Sequence, residues 1–369
     1  MRSLTTILII AFLWIAVFTG DSFAQITGGT CKDCHVMHYG QILGAEGLSR
    51  PSATLAVART ARPIRGLTLE DCLGCHAQGG PANITEDDIP QVYHTDTNDL
   101  AAGNFKYVEE SDARGHNVYG ISGISADKVL DGANPPGYNS SYDPATPTKY
   151  SANPHNQVTC AGTFGCHGNR DYVDEADAMF GAHHETDTCL KFGSIDEVSQ
   201  GTTVGTSYRF LYKVKGGEDD DWQKANLATS TKHNEYKGQA FAPRTGQTWA
   251  DVNTISELCA ECHGDFHKSG TSGIGTASPW LRHPTDVVLS DGEYADYNPD
   301  APVARQTIPD APGSGFTAGS DVVMCLSCHR AHGSYQPDLL RWDYSTMVAG
   351  GDTPTSLGCF TCHTDKDKD

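Results

Sequence analysis

Past its first two dozen residues the chain has no hydrophobic run long enough to cross a bilayer. It is also short of basic residues, with 26 Lys and Arg against 46 Asp and Glu and a formal charge of -20. Such a surface repels nucleic acid and anionic membranes, so neither is expected as a partner. It suits cationic partners, with oxide minerals and metal ions among the acceptors, or simply keeps the protein soluble. Regular periodicity is scarce as well. "LDGANPPGYNSSYDPATPTKYSANPHN", Leu130 to Asn156, carries neither a helical nor a strand repeat. With 38% hydrophobic residues, 39 Gly and 18 Pro, the chain struggles to bury an ordinary core. Something other than aliphatic side chains must fill its interior. No composition shift marks a linker.

The one apolar run lies at the start. Arg2, an apolar stretch from Leu4 to Phe18 and the small residues of "TGDSFAQ" read as a secretory signal cut after Ala24. No Cys follows that cut, so no lipid anchor is expected. The reading is a signal peptide over 1–24 and a single domain over 25–369. The protein would be exported through the periplasm to the cell surface or medium.

The 13 cysteines supply what the core lacks. Cys-x-x-Cys-His occurs at Cys31, Cys34 and His35; at Cys72, Cys75 and His76; at Cys259, Cys262 and His263; at Cys325, Cys328 and His329; and at Cys359, Cys362 and His363. This is the c-type haem attachment motif. Two thiols add to the porphyrin vinyl groups, and the next residue is placed under the iron, where a neutral imidazole is a good axial ligand. Paired CxxC also builds zinc ribbons, but zinc does not need His after every pair. Five chance matches would have a probability on the order of one in ten million. A sixth segment, "CAGTFGCHG", separates its thiols by five residues. Either Cys160 and Cys166 both bind a sixth haem beside His167, or Cys166 alone does and Cys160 pairs with Cys189. The motif starts fall at irregular intervals, which excludes a fixed-period solenoid. The fold expected is a multihaem cytochrome c: mostly loops, with short helices and few small hairpins, packed around a chain of six haems.

Six proximal histidines leave ten of the 16 for the distal side. Every iron can then be closed by two imidazoles, which suits electron transfer and leaves no open position for a substrate. His38, His267 and His332 follow a proximal His by three or four residues. So short a stretch cannot pass around the porphyrin edge, so each must serve a different haem or none. His116, His155, His184, His233 and His283 lie in turn-like settings away from the motifs. Ranked first as distal ligands are His38, His116, His184, His233, His283 and His332; His155, His183, His267 and His94 follow.

"CKDCHVMH", "GHNVYG", "LCAECHGDFH" followed by "LRHP", "MCLSCHRAHGS" and a final CxxCH occur here in the order found in the OmcS-type hexahaem filament cytochromes. The chain resembles that family over its two ends and about half its length. In that family, subunits on the outer surface of metal-reducing bacteria polymerise around a continuous line of stacked haems, with little regular secondary structure. The resemblance implies that His38 leaves its own subunit and ligates a neighbour's haem, here the one of Cys325, Cys328 and His329. The central segments "TCAGTFGCHGNR", "GAHHET", "YRFLYKVKGGEDDDW" and "STKHNEYKG" depart from the pattern, so ligation of the third haem does not carry over.

Three functions compete. The first is a secreted conduit that polymerises, takes electrons from periplasmic or outer-membrane cytochromes and delivers them to extracellular acceptors such as metal oxides. The second is a discrete soluble shuttle with the same haems, His38 binding within its own chain. The third is a multihaem reductase, which needs an iron with an open position. The absence of CxxCK and the surplus of His speak against the third.

Overall fold

Proline, glycine and the haem-type motifs cut this chain into pieces too short for long helices or strands. The computed structural model describes residues 72–85, 89–125, 135–138, 157–179, 211, 214–217, 233–240, 254–267, 283, 285–290, 297, 299–309, 315–348 and 358–363. Residues 1–71 fall outside the described residues, and with them the signal segment, Cys31, Cys34, His35 and His38; so do His155, His183, His184 and Cys189. The helices are α1 (Cys72–His76), α2 (Lys106–Glu110), α3 (Glu175–Ala178), α4 (Ile255–Ala260) and α5 (Cys325–Cys328). Further 3-10 turns lie at Asp112–Arg114, Gly264–His267, Pro337–Leu339, Tyr344–Thr346 and Gly358–Thr361. Among the described residues no helix is long and apolar enough to cross a membrane.

Such short helices depend on their ends. Thr254 accepts a hydrogen bond from the Glu257 amide at 3.2 Å and so starts α4. At α5, Ser327 Oγ accepts from the Met324 amide at 3.1 Å and donates to the Pro302 carbonyl at 2.5 Å. That hydroxyl ties the fourth CxxCH helix to a distant loop.

The sheets are equally small. β1 (Thr159–Ala161) pairs in parallel with β2 (Gly165–His167). β3 (Gly216–Gly217) runs antiparallel to β4 (Glu235–Lys237), which pairs in parallel with β5 (Ala304–Arg305). Where the sequence predicts small hairpins, the strands among the described residues give one antiparallel pairing, β3 with β4, and two parallel ones.

Hydrophobic burial is divided into small clusters. One joins Leu211, Val214, Tyr236, Ile255, Leu258, Ala304, Val322 and Met324; another joins Phe105, Val108, Val118, Ile121 and Ile124. Each fully buried side chain contributes about 1.5–3 kcal/mol, so these clusters position the motifs without amounting to one large core. Two segments far apart in sequence meet where Gly103 (φ +94°) packs on Gly333. A Cβ on Gly103 would lie 1.8 Å from the Gly333 carbonyl oxygen, so only glycine permits this approach.

Candidate metal centres

In four of the motifs a helical turn brings the two thiols together. α1 is the segment "CLGCH" itself. Elsewhere the His amide closes onto the first Cys carbonyl: His263 to Cys259 at 3.0 Å, His329 to Cys325 at 3.1 Å and His363 to Cys359 at 2.9 Å. Residues three apart on such a turn sit about 5–6 Å apart at Cβ, on one side.

The third motif reaches a similar spacing another way. The β1–β2 register pairs Thr159 with Gly165 and Ala161 with His167, so Cys160 stands opposite Cys166. Neighbouring strands are about 4.7–4.9 Å apart, close to the helical spacing. Gly165 allows it, since a Cβ there would lie 2.5 Å from the Thr159 carbonyl oxygen.

The thiols of successive motifs also adjoin. Cys72 Sγ, Cys160 Sγ and a Glu175 carboxylate oxygen lie within 4.8 Å of one another. The protein crowded around the exposed Cys166 thiol pushes it up to about 11, with Cys262 adding to the shift. The Cys259 and Cys325 thiols influence each other, Cys259 being raised and Cys325 lowered by the other. Burial raises Cys328 to about 12, with Cys362 and Cys359 next in importance. Arg170, three residues beyond His167, makes an ion pair with Glu261, which lies between the thiols of "CAECH". Nothing in the sequence signals that pair.

The imidazoles fall into distinct settings. Three pairs of rings face each other with centroids 6.2 Å apart: His116 with His263, His167 with His332, and His283 with His363. Each pair unites a motif histidine with one that the sequence ranks as distal. Two imidazoles on one metal at about 2.0–2.1 Å each place their centroids about 6 Å apart. In four rings Nδ1 donates to a backbone carbonyl: His76 to Pro90 at 2.9 Å, His116 to Ala331 at 2.9 Å, His263 to Pro136 at 2.6 Å and His329 to Asp338 at 2.7 Å. A carbonyl can only accept, so the proton is on Nδ1 and the Nε2 lone pair is left for a metal. Burial is the main cause holding all four rings below the ordinary imidazole pKa, and His263 falls to about 4. Neutral rings are the ligating form. The donor set therefore fits a six-coordinate haem iron.

Two other histidines are engaged differently. His233 Nε2 lies 3.2 Å from Glu235 and His267 Nε2 lies 2.5 Å from Asp286, all buried. His94 is fully buried.

A family model described as "Doubled CXXCH motif" matches residues 317–368. "C-type cytochrome OmcS" of Geobacter sulfurreducens is 27% identical over 384 residues, covering 87% of this chain and 81% of that one. The chain is similar to the OmcS-type multihaem c-type cytochromes. Among solved structures, the cytochrome is similar to "Outer Membrane Cytochrome S Filament from Geobacter Sulfurreducens", at 18% identity and a TM-score of 0.43, covering 88% and 85% of the two chains. A second, "Cryo-EM of the OmcS nanowires from Geobacter sulfurreducens", gives 20% identity and a TM-score of 0.37 over 86% and 84%. The loop-dominated fold of short helices and small sheets is that expected of a multihaem cytochrome.

Proposed function

We propose that this cytochrome is a secreted hexahaem electron conduit that takes electrons from upstream cytochromes and delivers them to extracellular acceptors such as metal oxides, as a homopolymer joined through His38. The observation that carries the reading is the set of three facing imidazole pairs at 6.2 Å. Bound haem iron supplies one-electron redox chemistry between its ferric and ferrous states. The chain's own residues do the rest. Cys31 and Cys34, with the paired thiols of the five later motifs, tether the groups. His35, His76, His167, His263, His329 and His363 stand on the proximal side.

His116, His332 and His283 close three of these sites opposite His263, His167 and His363. Each closing residue comes from another part of the chain, so it clips two neighbouring sites together, as His332 does between its own motif and the β1–β2 motif. The thiol contacts support a line of sites in sequence order, from Cys72 through Cys160 and Cys166, then Cys259 and Cys262, to Cys328 and Cys362. His38 is assigned to the His329 site of the next subunit, and the sites of His35 and His76 draw on the remaining histidines, His155, His183 and His184 among them. His233 and His267, held at Nε2 by carboxylates, serve the frame in this reading. Two imidazoles on each iron leave no open position, so a reductase role is not favoured.

Cryo-electron microscopy of the haem-staining extracellular fraction tests this. Filaments with continuous haem density, six groups per subunit and His38 crossing between subunits are expected. Dispersed single particles with His38 bound inside its own chain would make the protein a shuttle instead. An iron without a second imidazole would reopen the reductase reading.

A further inference from the structure

Among the described residues His94 stands apart from every other histidine. It is 0% exposed, and neither Nδ1 nor Nε2 has a hydrogen-bond partner. Leaving a buried polar group unmet costs about 1–3 kcal/mol, and here two such atoms belong to one ring. The polar neighbour that could meet them is already committed elsewhere. Buried Asn104 donates from Nδ2 to the His94 carbonyl at 3.0 Å, and its Oδ1 accepts from the amides of His94 at 3.4 Å and Lys106 at 3.0 Å. That clamp fixes the His94 backbone and offers the ring nothing. The next amide along, Asn104 N, donates to Gly333 O at 3.1 Å, beside His332. The clamped segment is thus part of the frame that carries a proposed ligand. Burial holds the ring below the ordinary imidazole pKa, outweighing the opposing effect of Asp99 and Asp96, so it is neutral.

We infer that His94 is an axial ligand of a haem iron, its buried, backbone-clamped ring having both nitrogens unmet by protein. The inference rests on the bis-imidazole reading above and raises His94 from the second rank that sequence gave it. The test is a His94→Gln variant, secreted from a strain with cytochrome maturation machinery and compared with wild type by EPR and optical spectroscopy. Mass spectrometry of the intact chain checks that the covalent haem count is unchanged. One haem per chain is expected to turn from low-spin to high-spin ferric, and added imidazole to restore it. A variant whose haems all stay low-spin overturns the assignment. Should the Gln variant fail to accumulate, His94→Met decides. A thioether ligand raises the potential of one haem in a redox titration, and an unchanged titration overturns the inference. High-spin iron already present in wild type would count against the bis-imidazole reading as a whole, separately from His94.

Discussion

At the scale of single residues, the group around Arg305 shows buried charge closely matched by partners. Arg305 donates from Nε to Glu235 at 2.8 Å, pairs through Nη1 with Asp321, and gives Nη2 to the Gly315 carbonyl at 2.8 Å. His233 completes the Glu235 side, and the Thr317 amide donates to Asp321 at 2.6 Å. The group sits among Tyr236, Ala304 and Val322, next to the segment that leads into α5. Arg305→Met keeps the length of the side chain but strands two buried carboxylates. Breaking a buried pair in this way costs about 3–5 kcal/mol. The variant should therefore show a clearly lower denaturant midpoint, followed by circular dichroism of the haem-loaded protein. A midpoint equal to wild type would mean that Arg305 contributes nothing net to the frame.

At the scale of elements, two different backbones set a pair of thiols to a similar spacing, a helical turn in four motifs and a parallel ladder in the β1–β2 motif. If the ladder presents Cys160 and Cys166 to one porphyrin, Cys160→Ala leaves that haem attached through Cys166 alone. Intact mass should show the haem count unchanged. The pyridine haemochrome band should move to longer wavelength, because one vinyl group stays unsaturated. An unmoved band would favour the Cys160–Cys189 disulfide. The helical motifs were legible in sequence because CxxCH is local: spacing, turn and ligand follow from five consecutive residues. The loop-rich fold was legible from the scarcity of periodic segments. The ladder was not, since five intervening residues specify a length but not a register. The facing of His332 with His167 was half legible. Three residues are too few to reach the other face of the same haem, which excluded its own site without naming the ring it faces. Sequence ranked His233 above His94 without access to what distinguishes them, because the partner of each ring nitrogen lies at contacts no local pattern encodes.

At the scale of the whole molecule, an acidic chain with scattered small clusters depends on neutral imidazoles that it has buried, and this sets its response to acid. His116 is held below the ordinary imidazole pKa by burial first. An unfolded chain therefore binds more protons than the folded one once the pH drops below about 6.5, the ordinary value for histidine. Stability supplied by this group is complete above that pH and is lost as the pH falls further. The surface charge works in the opposite direction, because protonating carboxylates would relieve the self-repulsion of a formal charge of -20. Timing decides between them. Exposed Asp and Glu titrate near about 4, so between about pH 6.5 and 5 the histidines change state while most carboxylates do not. The proximal rings stay tethered beside their irons even in an unfolded chain, so the distal rings carry the effect. The denaturant midpoint should be flat above about pH 7 and fall steadily towards about pH 5, with the low-spin optical signature fading in the same range. A midpoint that rises on acidification would show that surface repulsion, rather than the buried imidazoles, governs the stability of this cytochrome.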